Sequence, residues 1–135
     1  MDIKLVPAYL DRKLFLKLAK DYVKELSQYD DRIRWDEPSW IGIMWMADLI
    51  ITGGITCGFA IKEVVQFDGC PDALYISEFY IIPEARRNGT GTAAVSALTK
   101  GWDGDVFLYI FADNFAAKAF WNAVKKNNEW EEISR

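Results

Sequence analysis

The chain has 135 residues, 51% apolar and 15% aromatic with only four prolines, enough for one buried core and too apolar for a disordered segment. A single domain over 1–135 is therefore the expectation. A net charge of −4, spread without an acidic tail or a basic arm, argues against nucleic acid as a partner.

In chain order, residues 3–6 read as a short strand ended by Pro7. Asp11 is placed to N-cap a helix reaching Ser27, because Leu14, Phe15, Leu18, Ala19, Tyr22, Val23 and Leu26 recur at helical spacing. Residues 29–38 are polar and turn-like, carrying Asp30, Asp31, Asp36 and Glu37 beside Arg32 and Arg34. A strand over 44–52 meets Gly53-Gly54, a two-residue hairpin signal, and 55–65 returns as its partner. The most apolar run, 40–52, contains Asp48 and is too short and glycine-rich to span a bilayer, so no membrane is expected. Residues 67–71 make the next turn and 74–82 the next strand. A small-residue helix over 92–100 follows, with Gly101 as its C-cap, and then a buried strand over 106–111. A helix over 115–126 and a terminal strand over 130–133 complete a mixed α/β order.

The most informative stretch is Pro83 to Gly91, where a strand gives way to two arginines, alternate glycines and a helix start. Backbone N–H groups without intrahelical partners converge at such a start, and the helix dipole adds positive potential. Arginine beside the turn favours a phosphorylated ligand. A nucleoside-triphosphate loop needs Gly-Lys-Ser/Thr, but Gly91 is followed by Thr92-Ala93. Gly89-x-Gly91-x-x-Ala94 matches the dinucleotide fingerprint formally, with Asp113 at a tolerable distance for a ribose contact. That fingerprint belongs after the first strand of a βαβ repeat, whereas a glycine hairpin precedes it here. The plainest alternative is glycines that cap a helix beside solvated arginines.

Histidine is absent, which excludes Ser-His-Asp and Cys-His catalysis and removes the commonest zinc ligand. Cys57 and Cys70 are too few for a disulfide framework, so no metal is expected and the setting reads as reducing cytoplasm. The N-terminal residues lack a signal-peptide pattern. A base must then be a carboxylate, a tyrosine, a cysteine, a backbone group or water.

The run from Glu78 through Pro83 to Arg86-x-x-Gly89-x-Gly91 resembles the acyl-CoA signature of the GNAT superfamily of N-acetyltransferases. Downstream, Asn114-x-x-Ala117-x-x-Phe120-Trp121 resembles the family's second motif, in the right order and one helix and one strand away. The resemblance spans most of the chain and is best over 74–126. It implies an α/β fold with a mixed, mostly antiparallel sheet flanked by helices and splayed at the cofactor strand. It implies acetyl-CoA as co-substrate and a primary amine as acceptor, joined by direct attack in a ternary complex. Backbone groups of Arg87, Asn88, Gly89, Thr90, Gly91 and Thr92 would hold the pyrophosphate, with Arg86 beside them. Tyr80, Ile81 and Ile82 would pair with the pantetheine arm, an N–H near Ile81 meeting the oxyanion. Phe120 would also contact the cofactor, and Asn114 would contact its arm or cap a helix.

An amine of lysine type, with a pKa of about 10.4, must lose a proton before attack. The tyrosine that often ends the family's second motif is Trp121 here, whose indole is no useful acid. Ala117, Phe120, Trp121 and Val124 also form a helical stripe, which favours Trp121 as a core residue over a site residue. The carboxylate sometimes found in the family's fifth strand is replaced by Tyr109. Glu78 remains as the candidate base, on one face of its strand with Tyr80 (a lesser catalytic candidate), while Phe79 and Ile81 take the other. Tyr29, Trp35, Trp40 and Trp45 among the acids of 29–38 suggest an aromatic-acidic lip for a cationic small-molecule or peptide amine, set against core aromatics beneath a solvated loop. Asn127-Asn128-Glu129-Trp130 replaces the family's usual Gly-Phe, and a seventh strand is missing, so a second copy covering the sheet edge is plausible as a homodimer. The other function classes are an acyl-CoA-binding or regulatory module with little catalysis, and an interaction protein that has lost the ligand.

Overall fold

The computed structural model describes residues 1–66 and 68–124 in full and 128–133 by their backbone. Its strands β1 (Lys4–Pro7), β2 (Ala47–Thr52), β3 (Ile55–Val65), β4 (Ala73–Ile81), β5 (Val106–Phe111) and β6 (Asn128–Ile133) form one sheet in sequence order. β1 to β4 pair antiparallel. β4 with β5 and β5 with β6 pair parallel, because the helices α3 (Thr90–Leu98) and α4 (Phe115–Ala123) carry the chain back between them.

The Gly53-Gly54 signal is a true hairpin turn. Both glycines have positive φ, 59° and 77°, which suits the twist of β2 and β3. Gly58 answers a different demand: a Cβ there would stand 1.8 Å from the Tyr80 carbonyl oxygen of the next strand.

One face of the sheet is covered by α1 (Arg12–Leu26) and α2 (Glu37–Ile43). Asp11 caps α1 by accepting from the Leu14 N–H at 3.3 Å, as the spacing predicts. Phe15, Leu18, Ala19 and Val23 turn inward, and Phe15, Tyr22, Trp40, Phe59 and Tyr80 make one aromatic cluster. On the other face, Ala94, Val95 and Leu98 of α3 bury themselves against the sheet, with Ile50, Ala60 and Ile81 beneath Ala94 and Leu98. Lys62 of β3 donates to the Leu98 carbonyl at 2.6 Å and satisfies the end of α3.

Several boundaries differ from the pattern-based ones. α2 occupies part of what reads as a turn, because Pro38 falls in its first turn, where a missing N–H costs nothing. Met44–Met46 is a 3₁₀ turn, so β2 begins at Ala47, where pairing with Ile61 begins. α3 starts at Thr90 and ends at Leu98, and Gly101 lies beyond it with φ +79°. α4 ends at Ala123; Lys125, Lys126 and Asn127 lie outside the described residues. The terminal strand is longer than its pattern suggests and runs parallel to β5 along its whole length.

Candidate active site

β4 and β5 share only two residue pairs, Leu74 with Val106 and Tyr75 with Phe107, and then part. The cause lies on β4. Ile61 of β3 faces Glu78 and the next residue, Lys62, faces Ile76, so Ser77 is an extra residue that bulges out. Its hydroxyl donates to the Ile61 carbonyl at 3.4 Å. A bulge bends the strand that carries it, and here the bend coincides with the parting. It also shifts the side-chain phase. Leu74 and Ile76 pack toward α3 and α4, as do Phe79 and Ile81 three and five residues later. Glu78 and Tyr80 are thereby turned to the α1 face, the alternation expected from sequence.

The peptide groups in the gap follow from the ladder. Ile82 donates to the Cys57 carbonyl at 2.8 Å, so alternation ties Tyr80 to β3 and turns the Phe79 and Ile81 peptide groups into the opening. The Ile81 carbonyl confirms the direction, since it accepts from Nε of Arg86 at 2.8 Å.

Past β4, a 3₁₀ turn (Pro83–Ala85) leads into the loop. Arg87 and Gly89 are left-handed, φ 65° and 87°. Asn88 turns its Oδ1 back to accept from the Thr90 N–H at 3.1 Å and the Thr90 hydroxyl at 2.6 Å, burying Thr90. The Gly91 and Thr92 N–H groups belong to the first turn of α3 and have no intrahelical acceptor, which leaves them for an anion. Gly89 is demanded by its backbone conformation. Gly91 is demanded by packing, because a Cβ would lie 2.8 Å from a ring carbon of Phe120. Neither reason is clearance for a ligand.

Arg86 is engaged inward. Its Nη2 lies 2.9 and 2.8 Å from the two carboxylate oxygens of Glu25 on α1, and its guanidinium sits 5.6 Å from the Tyr80 ring centre. It thereby joins α1, the end of β4 and the loop.

Glu78 is half-buried, and burial pushes its carboxyl up to about 7; the Tyr22 hydroxyl within hydrogen-bonding reach pulls the other way. Burial, first, and then the Glu78 charge push the Tyr22 hydroxyl well above its ordinary value, so Tyr22 stays protonated. The Phe79 N–H also approaches that hydroxyl, which places it at the rim of the gap. Neither Tyr22 nor Glu25 was singled out as functional from sequence, since both sit in a helix whose apolar spacing absorbs them. A tyrosine within an apolar stripe is nonetheless a signal, because its hydroxyl needs a partner when buried.

Asn114 caps α4, its Oδ1 accepting from the Ala117 N–H at 3.1 Å. Phe120 stacks on Phe79 at 5.8 Å, and Trp121 is buried against Phe79 at 5.3 Å, a core residue as its helical spacing indicates. One cavity of about 690 Å³ joins these parts. Its walls include Arg86, Arg87, Gly89, Gly91 and Thr92 of the loop, Glu78, Tyr80 and Ile81 of β4, Asn114 and Phe120 of α4, and Tyr22 of α1. Ile82, Asn88 and Thr90 lie outside its wall, the first in the β3 ladder and the other two bonded to each other.

The aromatic-acidic lip does not form at the cavity. Trp40 is core, Trp35 stacks on it at 6.3 Å, and Trp45 stands in solvent. Asp30 is buried in a pair with Arg32, and Asp36 accepts from Ser39, so none of the four acids lines the cavity. Only Tyr29 of that set does.

The acetyltransferase (GNAT) family model matches residues 10–124, and the chain belongs to that family. No curated protein matches it significantly. Among solved structures it resembles the tetramutant of BH1408 from Bacillus halodurans at 18% identity, covering 92% of each chain with a TM-score of 0.70. It also resembles the aminoglycoside acetyltransferase meta-AAC0020 from an uncultured soil metagenomic sample, in complex with sisomicin, at 16% identity. There the match covers 95% of this chain and 89% of that one, with a TM-score of 0.67. Aminoglycoside N-acetyltransferase AAC(6')-Iy in complex with CoA is similar at 16% identity over 91% of this chain and 85% of that one, TM-score 0.58. At such identities the likeness is one of fold.

Proposed function

We propose that this acetyltransferase moves an acetyl group from acetyl-CoA to a primary amine by direct attack in a ternary complex. The observation that carries the reading is the single cavity that joins the α3 loop, the parted strands and Glu78. The pyrophosphate would sit on the N–H groups of Gly91 and Thr92 with Arg87 beside it. The pantetheine arm would run along β4 as an added strand and pair with the Phe79 carbonyl, the Ile81 carbonyl being held by Arg86. The thioester carbonyl then lies near the Ile81 N–H, which would donate to the developing oxyanion.

Glu78 is the base of this scheme. A carboxyl held near 7 accepts a proton from an ammonium, directly or through water, without surrendering it to bulk too readily. The Tyr22 hydroxyl, kept protonated beside it, would orient that carboxylate. Trp121 takes no part in proton transfer, so the CoA thiolate would leave as such or be protonated by water.

The test pairs thermal stabilisation by acetyl-CoA, CoA and NAD with thiol release over a panel of amines. Stabilisation by both CoA species but not NAD, with thiol release on at least one amine, is the expected result. CoA stabilisation without turnover would make the protein an acyl-CoA-binding module. A bulky residue at Gly89 should abolish the CoA shift, and loss of no shift there would sink the loop assignment.

A further inference from the structure

Resting on the transferase reading above, we infer that the acceptor is an amine whose amino group hangs on a short arm from a flat aromatic ring. The walls of the cavity away from the loop point to this. On the α1 face, β5 presents Tyr109 and Phe111 to the cavity, with Phe107 beside them outside its wall, and Tyr75 of β4 joins them. Ring centres stand 4.8 Å apart for Phe107 and Tyr109, 5.2 Å for Tyr75 and Phe107, and 6.0 Å for Tyr75 and Tyr109. Past the end of α1, Tyr29 stacks nearly parallel on Phe111 at 5.9 Å.

This surface is left open. Tyr109 is 46% exposed although it borders a cavity and has aromatic neighbours on its own face. An aromatic ring laid beside Tyr109 and Tyr75 would meet faces and edges at the spacing aromatic pairs prefer. Among the described residues lining the cavity, the carboxylates are Glu78 and Glu25, and Glu25 is held by Arg86. A polyamine or an aminoglycoside would bring several charges and hydroxyls to a wall whose described residues are mainly aromatic, and such desolvation is costly.

The amine must reach Glu78 while the ring rests beside Tyr75, which precedes it on the same strand with the bulged Ser77 between them. Phenethylamine and tyramine, aryl amines with a short flexible arm, are the probes.

The full chain is assayed for thiol release with saturating acetyl-CoA and phenethylamine, tyramine, spermidine or sisomicin. The same amines are titrated calorimetrically into the CoA-saturated protein. We expect kcat/KM for the aryl amines to exceed that for spermidine and sisomicin by about tenfold or more. Tyr109→Ala should raise KM for the aryl amines while leaving the acetyl-CoA thermal shift unchanged, and Tyr109→Phe should restore it. A preference for spermidine or sisomicin, or aryl amines that neither bind nor react, overturns the acceptor class. Aryl amines that bind CoA-saturated protein, and lose that binding in Tyr109→Ala, support the class even without turnover; in that case it is the transfer reading that fails.

Discussion

Glu25 holds Arg86 with both carboxylate oxygens while the same guanidinium donates to the Ile81 carbonyl. Arginine at the head of the loop signature is thus a strut between α1 and β4. Both side chains remain more than a third exposed, so the pair is screened. A double-mutant cycle of Glu25→Gln and Arg86→Ala should give a coupling of about 0.5–1 kcal/mol in urea denaturation. If Arg86 were chiefly a phosphate ligand, Glu25→Gln would tighten CoA binding; as a strut, it loosens it.

Gly58→Ala should cost roughly 3 kcal/mol or more, because the new methyl would meet backbone, which cannot swing aside as a side chain can. Denaturant midpoints, or failure to recover folded protein, would show it. A change below about 1 kcal/mol would mean that β3 and β4 can move apart at no great cost.

Glu78 sets a pH dependence of stability. Its folded value of about 7 lies above the ordinary 4.5, so between those values the folded chain binds more protons than the unfolded one. Stability therefore falls as pH rises through this window, by up to roughly 3 kcal/mol above pH 7. Glu78→Gln should remove that part of the slope between pH 5 and pH 8 in urea titrations. The same variant should lose the rise in turnover with pH that a base near 7 gives to the wild type.

The two loop glycines should fail for different reasons. Gly89→Ala forces a side chain into the left-handed region, at about 1–2 kcal/mol. Gly91→Ala pushes on the Phe120 ring, at about 1–2 kcal/mol. Phe120→Leu should recover most of the second loss and none of the first, read as melting temperatures of the double variants.

Trp121→Ala should cost about 3–5 kcal/mol, as for large residues removed from a core. Trp121→Phe should keep turnover within about threefold, since no proton passes through the indole.

Much of this was legible in the sequence because local chemistry decides it. Asp11 at a helix start, the Gly53-Gly54 turn and the strand over 55–65 each follow from residues close in the chain. The loop was legible because Arg86, Gly89 and Gly91 occur in a spacing that few other structures need. Glu78 stands out in the sequence as a carboxylate in an apolar strand, and it lines the cavity; its role as base is the proposal above. What could not be read was settled by distant partners. Trp40 belongs to the core only because α2 folds over Phe15 and Phe59, and Pro38 disguises that helix. Glu25 gains its meaning from a residue 61 positions away. The aromatic wall was hidden for a similar reason. Phe107, Tyr109 and Phe111 read as a buried strand, and only the parting of β4 from β5 uncovers Tyr109.

Ser77 has a consequence of its own. With Ser77 removed, Ile76 and Glu78 would become neighbours, each still opposite its present partner on β3 and each still on its present face. The strand would then be regular, free to pair with β5 along its length and more stable for it. The cleft in this sense depends on one residue. Without Ser77 the two strands could pair on past Tyr75, closing the cleft in which the proposed thioester would lie.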